Sequence, residues 1–302
     1  MSTESDVFKC GFVAIVGRPN AGKSTLTNAW VSEKVSAVTP VPQTTRNRIL
    51  GIANRPDAQV ILMDTPGIHK PFSHLNRQMM SCVRSALESR DLAVLVVDAS
   101  SSFGRGDQFA LDLLRPYRVP TILALNKTDK MRKDRLLPLI SRYASQYDFE
   151  EVFPVSALSG DGLEAMLGAV IRRLPQGPAL FPKDYYTDQP ERFLAAEMIR
   201  EKVILHTRKE LPYATAVLID EFHEDDRITR IHATILVERE SQKPIVIGAE
   251  GGLIKKIGIE ARHDLEKLFP PQVFLSLRVR VEPHWRDSQA LVASLDYRNE
   301  SA

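Results

Sequence analysis

The chain has 302 residues, 43% of them hydrophobic, with 40 Lys and Arg against 38 Asp and Glu and a formal net charge of +2. That length suits two domains of roughly 100–200 residues each, with real cores, and the charge balance gives no global field for nucleic acid. Two cysteines, Cys10 and Cys82, exclude a disulfide framework and point to a reducing compartment. The seven histidines form no metal-binding cluster with them. Met1 to Lys9 lacks the features of a signal or transit peptide, and no apolar run approaches the ~20 residues of a membrane span. A soluble cytoplasmic protein is expected.

The first apolar run, Phe12–Val16, reads as a strand. It leads into Gly17-Arg18-Pro19-Asn20-Ala21-Gly22-Lys23-Ser24, and a helix is expected from Ser24 to Val31. Strand, G-x-x-x-x-G-K-S and helix, in that order, make a phosphate-cradling P-loop. Gly17 and Gly22 allow a tight turn and a close approach of backbone to ligand. Backbone amides from Asn20 to Thr25 then point at an anion, and the start of the helix adds its positive dipole end. Lys23 is placed to reach the β- and γ-phosphates and the Ser24 hydroxyl to bind Mg²⁺.

Short apolar runs then alternate with helical patterns. Strands are expected at Ile49–Ala53, Val60–Asp64, Leu92–Asp98, Thr121–Asn126 and Val152–Ser156. Helices are expected near Leu75–Ser89, Gln108–Leu114, Arg132–Tyr147 and Leu163–Leu174. This alternation predicts an α/β domain, a mainly parallel sheet with helices on both faces. The second and third runs, joined by Asn54-Arg55-Pro56-Asp57, read as an antiparallel edge hairpin.

Three further motifs stand at strand ends, where ligands of open α/β sheets bind. In Asp64-Thr65-Pro66-Gly67, Asp64 is placed to hold Mg²⁺ through water and the Gly67 amide to meet a γ-phosphate. In Asn126-Lys127-Thr128-Asp129, the Asp129 carboxylate matches the N1 and N2 donors of guanine; adenine would leave it unpaired. Asn126 is placed to brace the P-loop and the Lys127 stem to lie along the base. Ser156-Ala157 offers a backbone amide to guanine O6. Four motifs in this order predict a GTP-binding domain. Pro42-Gln43-Thr44-Thr45-Arg46 reads as a switch segment that supplies a threonine hydroxyl to Mg²⁺. Thr45 is the first candidate and Thr44 the alternative. Lys23, Thr45, Asp64 and Gly67 make the catalytic set.

The expected GTPase domain spans 1–175. A proline-rich linker with little regular structure is expected over 176–190, and a second domain over 191–302. The second domain reads as helix (Glu191–Leu205), strands (Tyr213–Ile219 and Ile231–Glu240), helix (Leu253–Leu268) and strand (Val273–Val281). In the last strand Val273, Leu275, Leu277, Val279 and Val281 face one way.

The P-loop G-R-P-N-A-G-K-S, the Q-T-T-R switch and Asp64-Thr65-Pro66-Gly67-Ile68-His69 together resemble the Era family of bacterial GTPases. Residues 246–258, V-I-G-A-E-G-G-L-I-K-K-I-G, resemble that family's KH signature. The resemblance implies a GTP-hydrolysing switch that binds the 3′ region of 16S rRNA and acts in maturation of the 30S subunit. It also implies a monomer, with peripheral contact with the inner membrane in some members. Asn20 matches an Asn that in related GTPases helps hold K⁺ over the phosphates. The alternative is a regulatory switch in the cell cycle or in membrane-associated signalling, with no direct RNA role.

The order of elements around Gly248-Ala249-Glu250-Gly251 fits an α+β type II KH fold, whose GXXG turn clamps an RNA backbone through its amides. Gly248, Ala249, Gly251, Lys255, Lys256 and Arg262 are the candidate RNA contacts, with Lys243 nearby. Glu250 departs from the pattern, because a carboxylate there repels phosphate. From residue 181 onward, 18 Lys and Arg face 21 Asp and Glu, so the RNA-binding half is not basic as a whole.

Overall fold

Unbroken apolar runs of this kind are buried on both faces of a parallel sheet. In the computed structural model, which describes residues 8–69, 74–208, 211–269, 272–295 and 297, they do form one. Part of the N-terminal stretch read above for a leader lies outside these residues. The strands are β1 (Lys9–Gly17), β2 (Ile49–Asn54), β3 (Ala58–Asp64), β4 (Leu92–Asp98), β5 (Thr121–Asn126) and β6 (Glu151–Pro154). Their order is β2-β3-β1-β4-β5-β6, parallel throughout except for the antiparallel β2–β3 hairpin at one edge.

The connecting helices are α1 (Lys23–Val31), α2 (His74–Glu88), α3 (Arg105–Leu114), α4 (Leu136–Ala144) and α5 (Leu163–Arg173). Successive strand residues face opposite ways. Ala14 and Val16 of β1 join a core with Met80 and Val83 of α2, Leu111 and Leu114 of α3 and Tyr143 of α4. On α1, Trp30 is buried and its indole donates to the Leu163 carbonyl of α5 at 3.2 Å. The expected helix over 132–147 is divided into a 3-10 turn, Lys133–Arg135, and α4. Pro138 has no N–H to give and must sit in a helix's first turn, so α4 begins at Leu136.

Residues 8–36, 45–69 and 76–188 form one compact unit. The segment 175–188 contains neither helix nor strand and is held along the hairpin edge, within this unit. Ile52 N donates to the Tyr186 carbonyl at 2.9 Å and the Thr187 hydroxyl to the Leu50 carbonyl at 2.6 Å. The buried Gln59 side chain accepts from Leu180 N (2.8 Å) and Phe181 N (2.9 Å) and donates to the Phe181 carbonyl (2.9 Å). Gln59→Leu removes these three bonds, at about 0.5–1.5 kcal/mol each, because Leu180 is exposed and Phe181 half-buried and water can take the side chain's place. The expected result is a loss of roughly 3 kcal/mol and a melting point lower by roughly 6–12 °C, read by calorimetry. An unchanged melting point would mean that the segment is not held through Gln59.

The other unit contains 37–44 and 189 onward. It is built of α6 (Glu191–His206), α7 (Leu211–Ala214), β7 (Ala216–Glu224), β8 (Thr229–Val237), α8 (Lys243–Ile247), α9 (Gly252–Leu265), β9 (Val273–Val281) and α10 (Gln289–Ser294). β7 and β8 are antiparallel, β8 and β9 parallel. β9 starts and ends where its alternation placed it. β7 begins three residues later than expected, because Leu211–Ala214 forms a helical turn with Pro212 at its start. Trp285 is buried with its indole bonded to the Ala214 carbonyl at 2.9 Å, and α10 follows it; neither was foreseen.

Candidate nucleotide site and nucleic-acid groove

β1 ends at Gly17 (φ 151°) and α1 is entered through Gly22 (φ 97°), so the intervening loop folds back over the end of the sheet. A Cβ at Gly22 would run into the Asn126 amide. Asn20, at φ 61°, sits in the left-handed region that Asn tolerates better than most residues. Arg18 is tethered to α3 by a 2.9 Å ion pair with the buried Asp107, which also accepts from Gly104 N at 2.9 Å. Burial, and after it the Asp107 charge and hydrogen bond, keep the Tyr143 phenol protonated well above its usual range.

Lys23 is buried and its ammonium donates to the Arg18 carbonyl at 3.1 Å. Burial pushes its pKa down to about 8, against the pull of the Asp64 charge. Asp64 is wholly buried, and burial raises its carboxyl while Lys23 and the Ser24 hydroxyl oppose the rise.

Ser24 Oγ lies 2.7 Å from Asp64 Oδ2 and 2.8 Å from Thr45 Oγ1. The other Asp64 oxygen is buried without a hydrogen-bond partner among the described residues. Three hard oxygen groups at the foot of a phosphate loop, one of them short of a partner, fit Mg²⁺. Ser24 and Thr45 would hold the ion directly and Asp64 through water. A bound Mg²⁺ would neutralise charge on the β- and γ-phosphates during transfer. Thr44, the alternative candidate, belongs to the other unit. Its hydroxyl lies 2.6 Å from that of Thr39 and 2.7 Å from the Val41 carbonyl.

Gly67 packs tightly on the P-loop, where a Cβ would fall 2.7 Å from Pro19 Cα, and Ile68 N donates to the Gly17 carbonyl at 2.9 Å. Ile68 itself is buried in the sheet's core and offers no polar group to a substrate water.

At the N-K-x-D end of the site Asn126 ties two loops together. Its Nδ2 donates to the Ala21 carbonyl and its Oδ1 accepts from Ala157 N, both at 2.8 Å. Ser156 Oγ donates to Asp129 Oδ1 at 2.7 Å, which orients that carboxylate. Lys127, at φ 67°, is anchored by a 2.6 Å pair with Asp98. Burial pushes the Asp98 carboxyl up, but its bonds to Lys127 and Ser100 outweigh this and hold it below the usual range. Arg18–Asp107 and Lys127–Asp98 were missed in the sequence. The signal was present only as an Asp at the end of a strand and an Asp in a helix's first turn. Thr25 stands on the first turn of α1 beside Ser24.

In the other unit α8 and α9 are joined by Gly248-Ala249-Glu250-Gly251, with positive φ at Gly248 (78°), Glu250 (49°) and Gly251 (76°). A Cβ at Gly251 would meet nothing within 4 Å, so the loop's outer side is open to a ligand. A cavity of about 620 Å³ lies between α9 and β9. Its apolar wall includes Ile254, Ile259, Leu275 and the exposed Phe274; Lys255 and Arg262 stand at its rim. Lys256 is not in this lining and interacts instead with Glu260, the partner of His206.

A P-loop, a switch threonine, D-x-x-G, N-K-x-D and Ser-Ala loops gathered at one end of such a sheet define a guanine-nucleotide-binding domain, here followed by a KH domain. Residues 12–127 match the 50S ribosome-binding GTPase family and residues 210–286 the KH domain family. GTPase Era of Geobacter metallireducens is 47% identical over 292 residues, 96% of this chain and 98% of that protein. GTPase Era of Crocosphaera subtropica is 45% identical over 97% of this chain and 94% of its own length. The chain belongs to the Era family, and it is a GTPase. A crystal structure of Era with MgGDPNP and nucleotides 1506–1542 of 16S ribosomal RNA is similar, at 39% identity and TM-score 0.93, covering 96% of this chain and 99% of that one. An Era variant from Aquifex aeolicus bound to GDP and AlF4⁻ has a TM-score of 0.92 at 39% identity, with the same coverage.

Proposed function

We propose that this GTPase binds the 3′ region of 16S rRNA through the groove between α9 and β9 and acts in maturation of the 30S subunit. Mg²⁺-bound GTP and GDP would set its state, and it would work in the cytoplasm as a monomer. Peripheral contact with the inner membrane is what the family resemblance implies. Among the described residues no helix is long and apolar enough to cross a membrane. The observation that carries the reading is the open GXXG loop leading into an apolar groove with Lys255 and Arg262 at its rim. The similar Era that holds nucleotides 1506–1542 of 16S RNA supports the choice of RNA. Nucleotide-dependent co-sedimentation with 30S particles tests the reading against a regulatory switch with no RNA role, which would leave the chain in the supernatant.

Variants of the GXXG loop test it further. Glu250 is exposed, so its repulsion of a phosphate is worth roughly 1 kcal/mol or less. Glu250→Lys is expected to tighten binding of single-stranded RNA by up to about tenfold, with the gain shrinking as salt rises. Gly251→Asp adds a Cβ and a charge at φ 76° and should weaken binding far more. Filter binding at two salt concentrations reads both. Normal binding by both variants at low salt would take RNA off this loop.

For hydrolysis, Ile68 cannot orient water as the Gln of Ras does, so charge at the phosphates must come from elsewhere. We assign part of it to K⁺ held with the help of Asn20, which is exposed at the P-loop. Hydrolysis in K⁺ is expected to exceed that in Na⁺ severalfold, and Asn20→Ala should abolish the difference. Equal initial rates of the unmodified chain in the two salts would refute this.

A further inference from the structure

Next to the guanine end of the nucleotide site, the first unit contains a cavity of about 520 Å³ between the segment that follows β4 and the start of α4. That is the size of a small-ligand pocket. Residues 99–103 form one wall, and Lys130, Met131, Arg132, Arg135 and Arg142 stand on the other. The Arg142 guanidinium lies 5.0 Å from the centre of the Phe103 ring. Phe103 is itself fixed edge-on against Tyr143, with centroids 5.1 Å apart. Between residues 130 and 142 the chain carries five cations and a single carboxylate, Asp134. Asp134 is paired with Arg132 at 3.1 Å. Among the described residues no ion pair neutralises Lys130, Lys133 or Arg135.

An apolar, aromatic floor under an unneutralised cationic rim matches a nucleotide of single-stranded RNA. Its base stacks on an aromatic ring or an Arg plane and its phosphates meet the cations. We propose that this cavity is a second RNA site, on the GTPase half of the chain, taking one unstacked base with the phosphates that flank it. The proposal rests on the chain being an RNA binder, but not on the KH groove. The wall is also tied to the guanine end. Ser100 donates to Asp98 Oδ1 through its amide (3.0 Å) and its hydroxyl (2.5 Å), and Asp98 Oδ2 holds Lys127. RNA seated here would therefore press on the loop that positions Lys127, and by linkage nucleotide and RNA would alter each other's affinity by one factor.

Ultraviolet crosslinking of the full chain to a single-stranded oligoribonucleotide carrying 4-thiouridine, followed by mass spectrometry, tests the proposal. Adducts are expected within 99–105 or 130–142 as well as on α9. In Arg135→Glu/Arg142→Glu the first group should vanish, α9 adducts should remain, and RNA affinity at low salt should fall about fivefold, with the gap narrowing as salt rises. Gly251→Asp should do the reverse and spare the 99–105 and 130–142 adducts. Lys130→Ala/Arg135→Ala, a milder change at exposed positions, should act in the same direction if the first variant unfolds. Adducts confined to α9, with unchanged affinity in both double variants, would overturn the proposal. So would protection of 99–105 by uridine monophosphate without any oligonucleotide adduct there, which marks a site for free nucleotides. Failure of the KH reading shows separately, as the absence of α9 adducts.

Discussion

Asp129→Asn is expected to lower affinity for GTP by roughly a thousandfold and to turn preference towards xanthosine triphosphate. One oxygen of Asp129 accepts from Ser156 at 2.7 Å. In the variant the amide oxygen takes over that bond from Ser156, which turns the NH₂ towards the base. Guanine then meets a donor where its own N1 and N2 hydrogens need an acceptor, and two donors face each other in a confined site. Xanthine carries a carbonyl at that position and accepts from the new NH₂. Competition against fluorescent GDP measures both affinities. Retention of wild-type GTP affinity would remove Asp129 from the base-reading role.

Gly22→Ala should be comparably severe, through a different physical cause. The position has φ 97°, which costs an alanine about 1–2 kcal/mol, and the added Cβ falls on the Asn126 amide. Asn126 must then release the Ala21 carbonyl or the Ala157 amide, both now held at 2.8 Å. A buried partner left unpaired adds about 1–3 kcal/mol. Together these predict a loss of GTP affinity of about a hundredfold or more, because the two loops that embrace the nucleotide lose their common brace. RNA crosslinking to α9 in the absence of nucleotide serves as the control for folding of the KH half. Tight GTP binding by Gly22→Ala would show that the brace is dispensable.

The parts of the site that were legible in the sequence are those carried by contiguous residues. A P-loop needs two glycines, a lysine and a serine at fixed spacing, and the end of a strand is visible as an apolar run meeting Asp64 or Asn126. The α9–β9 groove was legible only in part. Lys255 and Arg262 are seven apart, two turns of helix, and share a face with Ile259. Lys256 is rotated about 100° from Lys255 and falls beside Glu260 instead. That spacing was available in the sequence and sorts the three cations. Contacts set by tertiary packing left no local trace. Gln59 sits among the apolar residues of β3, and nothing in the sequence shows that it reaches Leu180 and Phe181. The start of β7 was misplaced because Tyr213 and Ala214 suit a strand as well as a turn, and Pro212 decided for the turn.

The segment along the hairpin edge bears on how the chain is made. A ribosome releases β2 long before residue 188, so during synthesis this strand emerges with its outer N–H and C=O groups open to water and to neighbouring chains. Only when Tyr186 and Thr187 arrive do they take the bonds from Ile52 and to Leu50. Nascent GTPase halves on one messenger are thus exposed to edge-to-edge pairing during that interval. A fragment cut at residue 175 would keep that edge bare for its whole life, whereas one cut after Asp188 carries its own cover.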